Sequence, residues 1–536
     1  MSSSAHHHHT HHAPPPETPV LSKTEQRNIL IAMCTALMAV IASVSGLNVA
    51  QQQLAIDLEA SQGAVLWIIN AYTLALAALL MPVGAIGDRF GRKPVLLAGL
   101  GLFGLASVGA AVATSTALLI VARVVAGAAA AMIMPVTLSV VTSSFPEEDR
   151  AQAIGIWAGV AGSGGLIGLF TASFMVDYLT WRWLFAMPVV LVLVAAKMTL
   201  SHVPNSKEHS EHPFDVVGSV LSALAIGGLV LGIHEGPERG WGHALTIAGL
   251  VVGLGGLLAF VFWERRHVDP LLDIDVFRNR SLSSSSITLM ILFGMMFGIF
   301  LVLFPFFQAV IGWSALRSAV ALLPMAVMMM PTSALAPQVA KRLGARNTML
   351  VGASLAGVGL ITMALRASVE GGYFSVLPGL MILGLGMGLT MTPATEAITA
   401  SLPAEKQGVA SALNDTSREV GGAVGVALLG SILSSGYSSA IKPALAGLPA
   451  ELAEPASEGI GNAFGVAAQA GDAGPVIIDA AKHAFVDGWV QSMWVGVGMV
   501  ALAVLILAVR GPVDDYDDGL DDLDDDSEAT APVPTA

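Results

Sequence analysis

The sequence predicts an all-α membrane protein with fourteen transmembrane helices. Hydrophobic residues make up 54% of the 536 residues and charged residues only 12%, whereas charged residues are about 25% of a soluble globular protein. Apolar stretches of about twenty residues recur along the chain, and each is long enough to cross a hydrocarbon core of about 30 Å as a helix. A soluble enzyme is therefore excluded by composition before any motif is considered.

The apolar stretches place the helices in chain order, with ends defined to within about four residues. The first follows a polar leader, the second and third flank a short charged loop, and the last follows the longest polar connection. We predict spans at 28–49, 64–87, 94–113, 116–138, 151–174, 183–201, 215–233, 243–263, 282–307, 317–339, 347–366, 373–400, 408–434 and 488–509.

Three segments outside the spans are predicted to lack a fixed structure. The leader 1–27 is rich in His but has no fixed ligand geometry, so we expect no metal site there. The tail 510–536 holds ten carboxylates and no base between Asp514 and Glu528, which is most of the formal charge of −14. The connection 435–487 is rich in Ala, Gly and Pro, and we predict an extracellular, poorly ordered loop.

Basic residues are concentrated in alternate loops between the spans. Because cytoplasmic loops carry the excess of Lys and Arg, this bias predicts that both termini are cytoplasmic. The residues assigned to the cytoplasmic loops are Arg89, Arg92, Lys93, Arg150, Lys207, Arg265, Arg266, Arg278, Arg280, Lys341, Arg342, Arg346 and Lys406.

An internal repeat divides the chain into two halves. The segment "KRLGARNTMLVG" at 341–352 echoes "DRFGRKPVLLAG" at 88–99, and 402–425 echoes 145–168 at a nearly equal offset. We therefore predict two six-helix halves, 28–201 and 282–509, separated by an inserted helix pair with its loops at 202–281. Two such halves can rock about a central site, which is the geometry of alternating access in secondary transporters.

The loop between the second and third spans carries the signature of a known family. Its residues resemble the loop motif of the major facilitator superfamily, and "RVVAGAAAAMIMP" from Arg123 and "GVASALNDTSREVGG" from Gly408 resemble its fourteen-helix branch, the drug:proton antiporters. The residues that match the loop motif are Gly84, Asp88, Arg89, Gly91, Arg92 and Lys93.

The resemblance implies both fold and activity. It implies a secondary transporter that exports hydrophobic or amphipathic small molecules by alternating access, coupled to protons, from a bacterial inner membrane. We expect a monomer embedded in membrane lipid that binds neither nucleic acid nor a cofactor. No G-x-x-x-x-G-K-[ST] loop is present in the sequence, which argues against an ATP-driven pump or another nucleotide-using enzyme.

The loop motif also has a direct physical interpretation. Gly84 and Gly91 permit close helix approach and a tight turn, and Asp88 can accept hydrogen bonds from free N–H groups at a neighbouring helix start. The basic residues of the loop are expected near anionic headgroups. By resemblance, Asp88 would bind the span that starts at about Gly408 in the outward-open state. The alternative is a basic loop that sets topology and has no gating role.

Ionisable residues inside the spans are few, and such residues usually serve coupling or binding. Asp415 lies three residues before Arg418 and four before Glu419, so it can face both on one helix. The alternative is a local ion cluster with a structural role. The coupling candidates are Arg123, Glu396, Asp415, Arg418 and Glu419.

The first span departs from the antiporter pattern, because Ser43 stands where these antiporters carry an acid. A hydroxyl cannot exchange a proton near neutral pH, so coupling must use another group, use another ion or be absent. Asp415 is our preferred proton carrier. Alternative functions are a transport-silent or sensing relative, and a uniporter or importer of a specific solute. Asn48, Asn70 and Tyr72 lie in the first two spans and are candidates to line the substrate cavity.

Overall fold

The computed structural model describes residues 21–206, 214–446 and 448–512, apart from the side chains of Ser45, Asn48, Gln52, Gln62 and Asp472. Most of the His-rich leader and nearly all of the acidic tail therefore lie outside the described residues. Within them the chain is helical, without a strand, and fourteen helices are long and apolar enough to cross a membrane. The predicted fold class is confirmed.

Seventeen α-helices are present in the described residues, and three of them are too short to span. In chain order they are α1 Lys23–Val49, α2 Gln51–Asp57, α3 Gln62–Phe90, α4 Arg92–Ala111, α5 Thr116–Ser144, α6 Glu147–Tyr178, α7 Ala186–His202, α8 Val216–Arg239, α9 Ala244–Glu264, α10 Arg280–Pro305, α11 Ala315–Leu343, α12 Ala345–Arg366, α13 Gly372–Ala400, α14 Gln407–Leu445, α15 Ala450–Glu458, α16 Ile460–Ala467 and α17 Gly474–Arg510.

Local sequence signals set several helix ends. Ser22 and Glu25 form a capping box at the start of α1, which therefore begins inside the predicted leader. Gly91, with φ of 111°, separates α3 from α4, and Gly344, with φ of 82°, separates α11 from α12. Such positive φ values favour glycine. The two glycines occupy equivalent places in the repeat, so both halves turn a corner in the same way.

The helix contacts of the first half recur in the second. The six membrane helices are α1, α3, α4, α5, α6 and α7 in the first half, and α10, α11, α12, α13, α14 and α17 in the second. Counted in this order, each half pairs its first helix with its fifth and sixth, its second with its fourth, and its third with its fourth and sixth. These contacts are α1–α6, α1–α7, α3–α5, α4–α5 and α4–α7 in the first half, and α10–α14, α10–α17, α11–α13, α12–α13 and α12–α17 in the second. The halves meet through α3–α14 and its counterpart α6–α11, so their interface follows the same symmetry.

The inserted pair α8–α9 packs closely because glycines line its contact. A Cβ atom on Gly228 would lie 2.5 Å from the backbone nitrogen of Gly253, which leaves the two backbones in direct contact. The pair packs on α3 of the first half and, through α8, on α14 of the second. The extra helices therefore contact both halves beside their interface.

The connection 435–487 is mostly helical, so the expectation of a poorly ordered loop was wrong. α14 continues to Leu445, α15 and α16 follow, and α17 begins at Gly474. The hydroxyl of Tyr437 donates to the carbonyl oxygen of Ala456 at 3.0 Å, and Ile477 and Ala481 are buried. The many alanines of this segment are strong helix formers, and its buried apolar side chains belong to the hydrophobic core.

Candidate functional site

The two halves touch at the end of the bundle that carries the basic loops, which we call the basic end. It contains the α3–α4 corner, the α11–α12 corner and the start of α14. A Cβ atom on Gly84 of α3 would lie 2.6 Å from the carbonyl oxygen of Gly408 and 2.8 Å from the Cβ of Ala412. The backbones of α3 and α14 are thus in direct contact, and the basic end is closed here.

Asp88 joins the halves at this contact. Its Oδ1 accepts from the backbone N–H of Gly408 at 2.8 Å, and its Oδ2 accepts from Val409 at 3.1 Å. These two N–H groups belong to the first turn of α14 and have no partner within the helix. A carboxylate also interacts favourably with the positive end of the helix dipole. The contact expected between Asp88 and the start of this span is present.

Arg92 is buried inside the protein instead of exposed toward anionic headgroups as the sequence led us to expect. Its side chain is buried, and its Nε and Nη2 donate to Asp88 Oδ1 at 3.1 and 2.8 Å. Nη2 also donates to the carbonyl oxygen of Ala404, across the interface between the halves. The guanidinium has enough donors to satisfy both partners, so Arg92 holds the Asp88 carboxylate in place. Lys93 bonds the carbonyl oxygen of Leu200, and Arg89 is half-buried.

The symmetry-related contact lies between α6 and α11. A Cβ atom on Gly155 would lie 2.7 Å from the carbonyl oxygen of Ser333. The hydroxyl of Ser333 donates to the carbonyl oxygen of Gly155 at 3.0 Å, and it lies 2.9 Å from the hydroxyl of Thr392 in α13. This contact joins the halves by hydroxyl and backbone groups, without the charge that Asp88 supplies on the other side.

Asp415 and Arg418 form a buried ion pair further along α14. Arg418 Nη1 lies 3.6 Å from Asp415 Oδ1, and the carboxyl is fully buried. Asn414 donates its Nδ2 to the same Oδ1 at 3.1 Å and accepts from Thr395 of α13. Asp415 Oδ2 has no hydrogen-bond partner among the described residues. One oxygen of this buried carboxyl is therefore unsatisfied in the described part of the chain.

Two aromatic rings from different halves face the guanidinium of Arg418. Its central carbon lies 4.3 Å from the centroid of Phe293 in α10 and 5.6 Å from that of Trp157 in α6. The indole Nε1 of Trp157 donates to the hydroxyl of Thr137, which fixes the ring. Cation–π attraction is worth about 2 kcal/mol when the groups are desolvated. Arg418 therefore has partners in both halves of the protein.

The other two acidic candidates have different surroundings. Glu419 is half-buried and lies within electrostatic range of Arg418 and Asp415. Glu396 lies near Lys341 and Arg150 at the basic end instead. The structure therefore groups Asp415, Arg418 and Glu419 and places Glu396 apart from them.

Arg123 is buried in the first half against Tyr72. Its guanidinium carbon lies 4.2 Å from the ring centroid, and its Nε donates to the carbonyl oxygen of Ile68 at 3.2 Å. The hydroxyl of Tyr72 donates to the carbonyl oxygen of Val40 in α1. Arg123 takes part in none of the ion pairs found within residues 21–206, 214–446 and 448–512. It is a fixed positive charge held by an aromatic ring and a backbone oxygen.

The three cavity candidates lie on α1 and α3, and the structure describes the side chains of Asn70 and Tyr72. Tyr72 is fully buried, and Asn70 is half-buried beside Glu238 of the inserted pair. Asn48 lies in α1, but its side chain is outside the described residues. Ser43 lines a small cavity between α1, α6 and α7, together with Gly46, Thr171 and other residues.

Comparison with known proteins decides the family. A family model described as the Major Facilitator Superfamily matches residues 31–426. The chain belongs to the major facilitator superfamily.

Relatives within the superfamily include named efflux proteins. The multidrug efflux pump LfrA of Mycolicibacterium smegmatis is 32% identical, over 92% of this chain and 98% of its own length. The tetracenomycin C resistance and export protein of Streptomyces glaucescens is 32% identical over 76% of each chain. Among solved structures, the proton:xylose symporter XylE matches 92% of this chain and 97% of its own with a TM-score of 0.60 and 14% identity. At that identity the likeness concerns the fold.

Sequence reasoning missed several groups around the major facilitator motifs. Trp157, Phe293 and Asn414 surround the Asp415–Arg418 pair, yet nothing in their local sequence marks them as partners of a charge. Trp157 gave the best available signal, because a buried Trp usually finds a hydrogen-bond partner for its N–H. Lys406 also binds the loop that follows α9, through Asp269 and Pro270.

Proposed function

We propose that this protein exports hydrophobic or amphipathic small molecules from the cell by alternating access, driven by exchange for protons. The observation that carries the proposal is the Asp88 contact with the first turn of α14 across the two halves. The efflux activities named for LfrA and for the tetracenomycin C protein support the class of substrate.

The gate works through the charge on Asp88. While the halves are closed, the carboxylate satisfies two N–H groups of α14 and is held by Arg92. When the halves rock apart at the basic end, these N–H groups and the carboxylate are solvated by water instead. The contact therefore stabilises one state only, which is what a gate requires. The basic end faces the cytoplasm of a bacterial inner membrane, with both termini inside, in accordance with its excess of Lys and Arg.

Asp415 carries the exchanged proton. In its charged form it holds Arg418, and protonation removes the charge that keeps the guanidinium at 3.6 Å. Arg418 is then free to move along Phe293 and Trp157, which belong to different halves. Proton binding is thereby linked to the relative position of the halves. Glu419 is the alternative carrier, because it lies beside the same Arg418, and Arg123 tunes the field of the cavity as a fixed charge.

The decisive experiment measures substrate efflux against an imposed pH gradient in proteoliposomes. Wild type should respond to the gradient, and Asp415→Asn should transport without responding. Asp275→Asn, which changes an exposed carboxyl in the α9–α10 connection, is the matched control and should behave like wild type. An equal response of wild type and Asp415→Asn would remove Asp415 as the carrier.

A uniporter is the second candidate function, and Ser43 in place of the usual acid favours it. The same assay distinguishes the two functions. A wild type that moves substrate but ignores the pH gradient is a uniporter, and the antiporter assignment would then be dropped.

A further inference from the structure

Two carboxyl groups are buried together at the basic end of the inserted pair. Asp215 is the residue before α8 and is 7% exposed, and Glu264 is the last residue of α9 and is 3% exposed. The mechanism above uses neither. Asp and Glu are almost never so buried unless they are paired, so their surroundings need an explanation.

The two carboxyls face each other across Gly218. A Cβ atom on Gly218 would lie 2.2 Å from Glu264 Oε1 and 2.3 Å from Asp215 Oδ2. These two oxygens are therefore at most about 4.5 Å apart, because both lie within those distances of one point. Gly218 leaves the space between α8 and α9 in which the acids approach each other.

Neutral N–H groups satisfy the outward sides of the pair. Asp215 Oδ1 accepts from the backbone N–H of Gly218 at 2.8 Å and from the indole Nε1 of Trp263 at 3.0 Å. Glu264 Oε2 accepts from the backbone N–H of Leu272 at 3.2 Å. Within the described residues, neither carboxyl has an ion-pair partner.

Of the two inward oxygens, Asp215 Oδ2 also lies 3.3 Å from the indole Nε1 of Trp263, which donates to both oxygens of this carboxyl. Glu264 Oε1 is buried and has no hydrogen-bond partner among the residues that the structure describes, although it points at Asp215. Two negative charges at this distance repel each other, and burial strengthens the repulsion. One proton shared by the two groups removes a charge and supplies the missing donor. The backbone of Gly218 beside these oxygens leaves little room for a metal ion, whose oxygen ligands typically lie at 2.0–2.6 Å.

The pair is connected to the gate through the α9–α10 connection, residues 265–279, which we call the strap. Glu264 holds the strap at Leu272. Further back in the strap, Asp269 Oδ1 and the carbonyl oxygen of Pro270 accept from Lys406 Nζ at 3.4 and 2.9 Å. Lys406 immediately precedes α14, whose first turn binds Asp88.

Other charged groups lie close to the pair and define its electrostatic surroundings. Arg266 stacks on Phe262 at 3.8 Å, and the His267 Nδ1 lies 2.9 Å from the carbonyl oxygen of Asp269. Arg265 follows Glu264 directly. From α3, Arg89 precedes Phe90, whose ring contacts Phe214 next to Asp215. The tests below therefore include a variant of His267.

We propose that Asp215 and Glu264 bind one proton between them and that this proton fastens the strap, and with it Lys406, to the inserted pair. With the proton bound, the strap supports the closed gate. When both carboxyls ionise, their repulsion separates Glu264, together with the strap bonded to it at Leu272, from Asp215 on α8. The inserted helices then act as a proton-dependent support for the gate, separate from the proposed exchange at Asp415.

The first test detects the proton directly in the full chain in lipid nanodiscs. Infrared difference spectra between low and high pH should contain the C=O band of a protonated carboxylic acid that is lost as pH rises. Glu264→Gln and Asp215→Asn should each remove one component of this band, whereas Asp273→Asn, which changes an exposed carboxyl of the strap, should leave that component in place. His267→Gln should also retain it. A band whose components are all unchanged in both pair variants overturns the proposal.

The second test measures release of the strap. Spin labels at Asp275→Cys and Glu405→Cys, with the single Cys34 replaced by Ser, report the distance from the strap to the start of α14. In wild type, the fastened population should fall about tenfold per pH unit above the midpoint, as expected for one proton. Glu264→Gln, whose amide can donate to Asp215, should keep one distance at every pH.

Two outcomes contradict the proposal in this second test. Equal pH dependence in wild type and Glu264→Gln would mean that another group is responsible. A distance that changes when sodium replaces choline at constant pH, and not with pH, would mean that the pair binds a metal cation. If Glu264→Gln fails to fold, Asp215→Asn takes its place. Neither measurement uses substrate, so a failure of the efflux proposal leaves both readouts valid.

Discussion

Replacing Gly84 with Ala should open the basic end of the protein. The new Cβ would lie 2.6 Å from the carbonyl oxygen of Gly408 and 2.8 Å from the Cβ of Ala412. Carbon atoms in contact are normally about 3.5–4.0 Å apart. α3 and α14 must therefore separate by about 1 Å, which also stretches the two bonds from Asp88 to α14 beyond normal hydrogen-bond length.

The size of the effect follows from these two losses. Overpacking a tight contact costs about 1–3 kcal/mol, and a hydrogen bond to a charged group contributes about 1.5–3 kcal/mol. Because the helices can relax and the freed groups reach water, we take about 2–3 kcal/mol for the total loss. This shifts the equilibrium between closed and open states by about 30- to 150-fold.

Cysteine alkylation measures this shift. Ser411 is fully buried one turn into α14, so Ser411→Cys, in a Cys34→Ser background, should react slowly with a water-soluble maleimide while the gate is closed. Adding Gly84→Ala should raise the alkylation rate by the factor given above, until the open state dominates. Gly101→Ala is the control, because a Cβ atom at Gly101 meets no other atom within 4 Å.

Equal alkylation rates in Gly84→Ala and Gly101→Ala would refute this reasoning. The direct contact of α3 with α14 would then not be what keeps the basic end closed, and the Asp88 bonds would have to tolerate the separation. A variant that is unfolded in detergent would be recognised by its loss of monodisperse elution, and Asp88→Asn would replace it as a milder perturbation of the same contact.

Three further predictions concern other contacts. Gly425→Ala should lower the free energy of unfolding by about 3 kcal/mol, because its Cβ would lie 1.8 Å from the carbonyl oxygen of Gly294. The control is Gly498→Ala, whose Cβ would meet no atom within 4 Å and whose free energy of unfolding should stay within about 0.5 kcal/mol of wild type. Thermal unfolding measures both variants. Arg123→Lys keeps the charge but loses the planar stack on Tyr72 and the hydrogen bond to the carbonyl oxygen of Ile68. Losing about 1–2 kcal/mol of interaction energy should slow efflux by about 5- to 30-fold. An efflux rate equal to that of wild type would mean that only the charge of Arg123 matters. Trp157→Phe removes the hydrogen bond to Thr137 and keeps a ring near Arg418. The free energy of unfolding should therefore fall by about 1 kcal/mol while efflux continues. A loss of efflux without a loss of stability would contradict the role of Trp157 as a ring that faces Arg418.

The sequence predicted the membrane helices well because the bilayer imposes their length and polarity. The prediction of helix ends failed where helices extend beyond the membrane, because hydropathy does not mark the end of a helix there. α14 and α17 extend past the predicted ends at 434 and 488, since Ala-rich turns remain helical outside the lipid when they can pack on one another.

The candidate site was partly predictable for a similar reason. The pairing of Asp415 with Arg418 follows from their spacing on one helix, and the Asp88 contact follows from the resemblance to the family. The burial of Arg92 could not be predicted, because it depends on Ala404, more than three hundred residues away. The rings of Phe293 and Trp157 around Arg418 likewise come from helices that meet only in the folded chain.

The glycine contact between α3 and α14 has a consequence for how fast the protein can switch. Backbone meets backbone at Gly84 and Gly408, so at this point of contact no side chain stands between α3 and α14 when the surfaces part. Dispersion attraction and hydrogen bonds between α3 and α14 both weaken once the helices separate by more than about 1 Å. Half-open arrangements are therefore not stabilised by this contact. We therefore expect abrupt jumps between two dwell states in single-molecule recordings, with little friction from the interface itself.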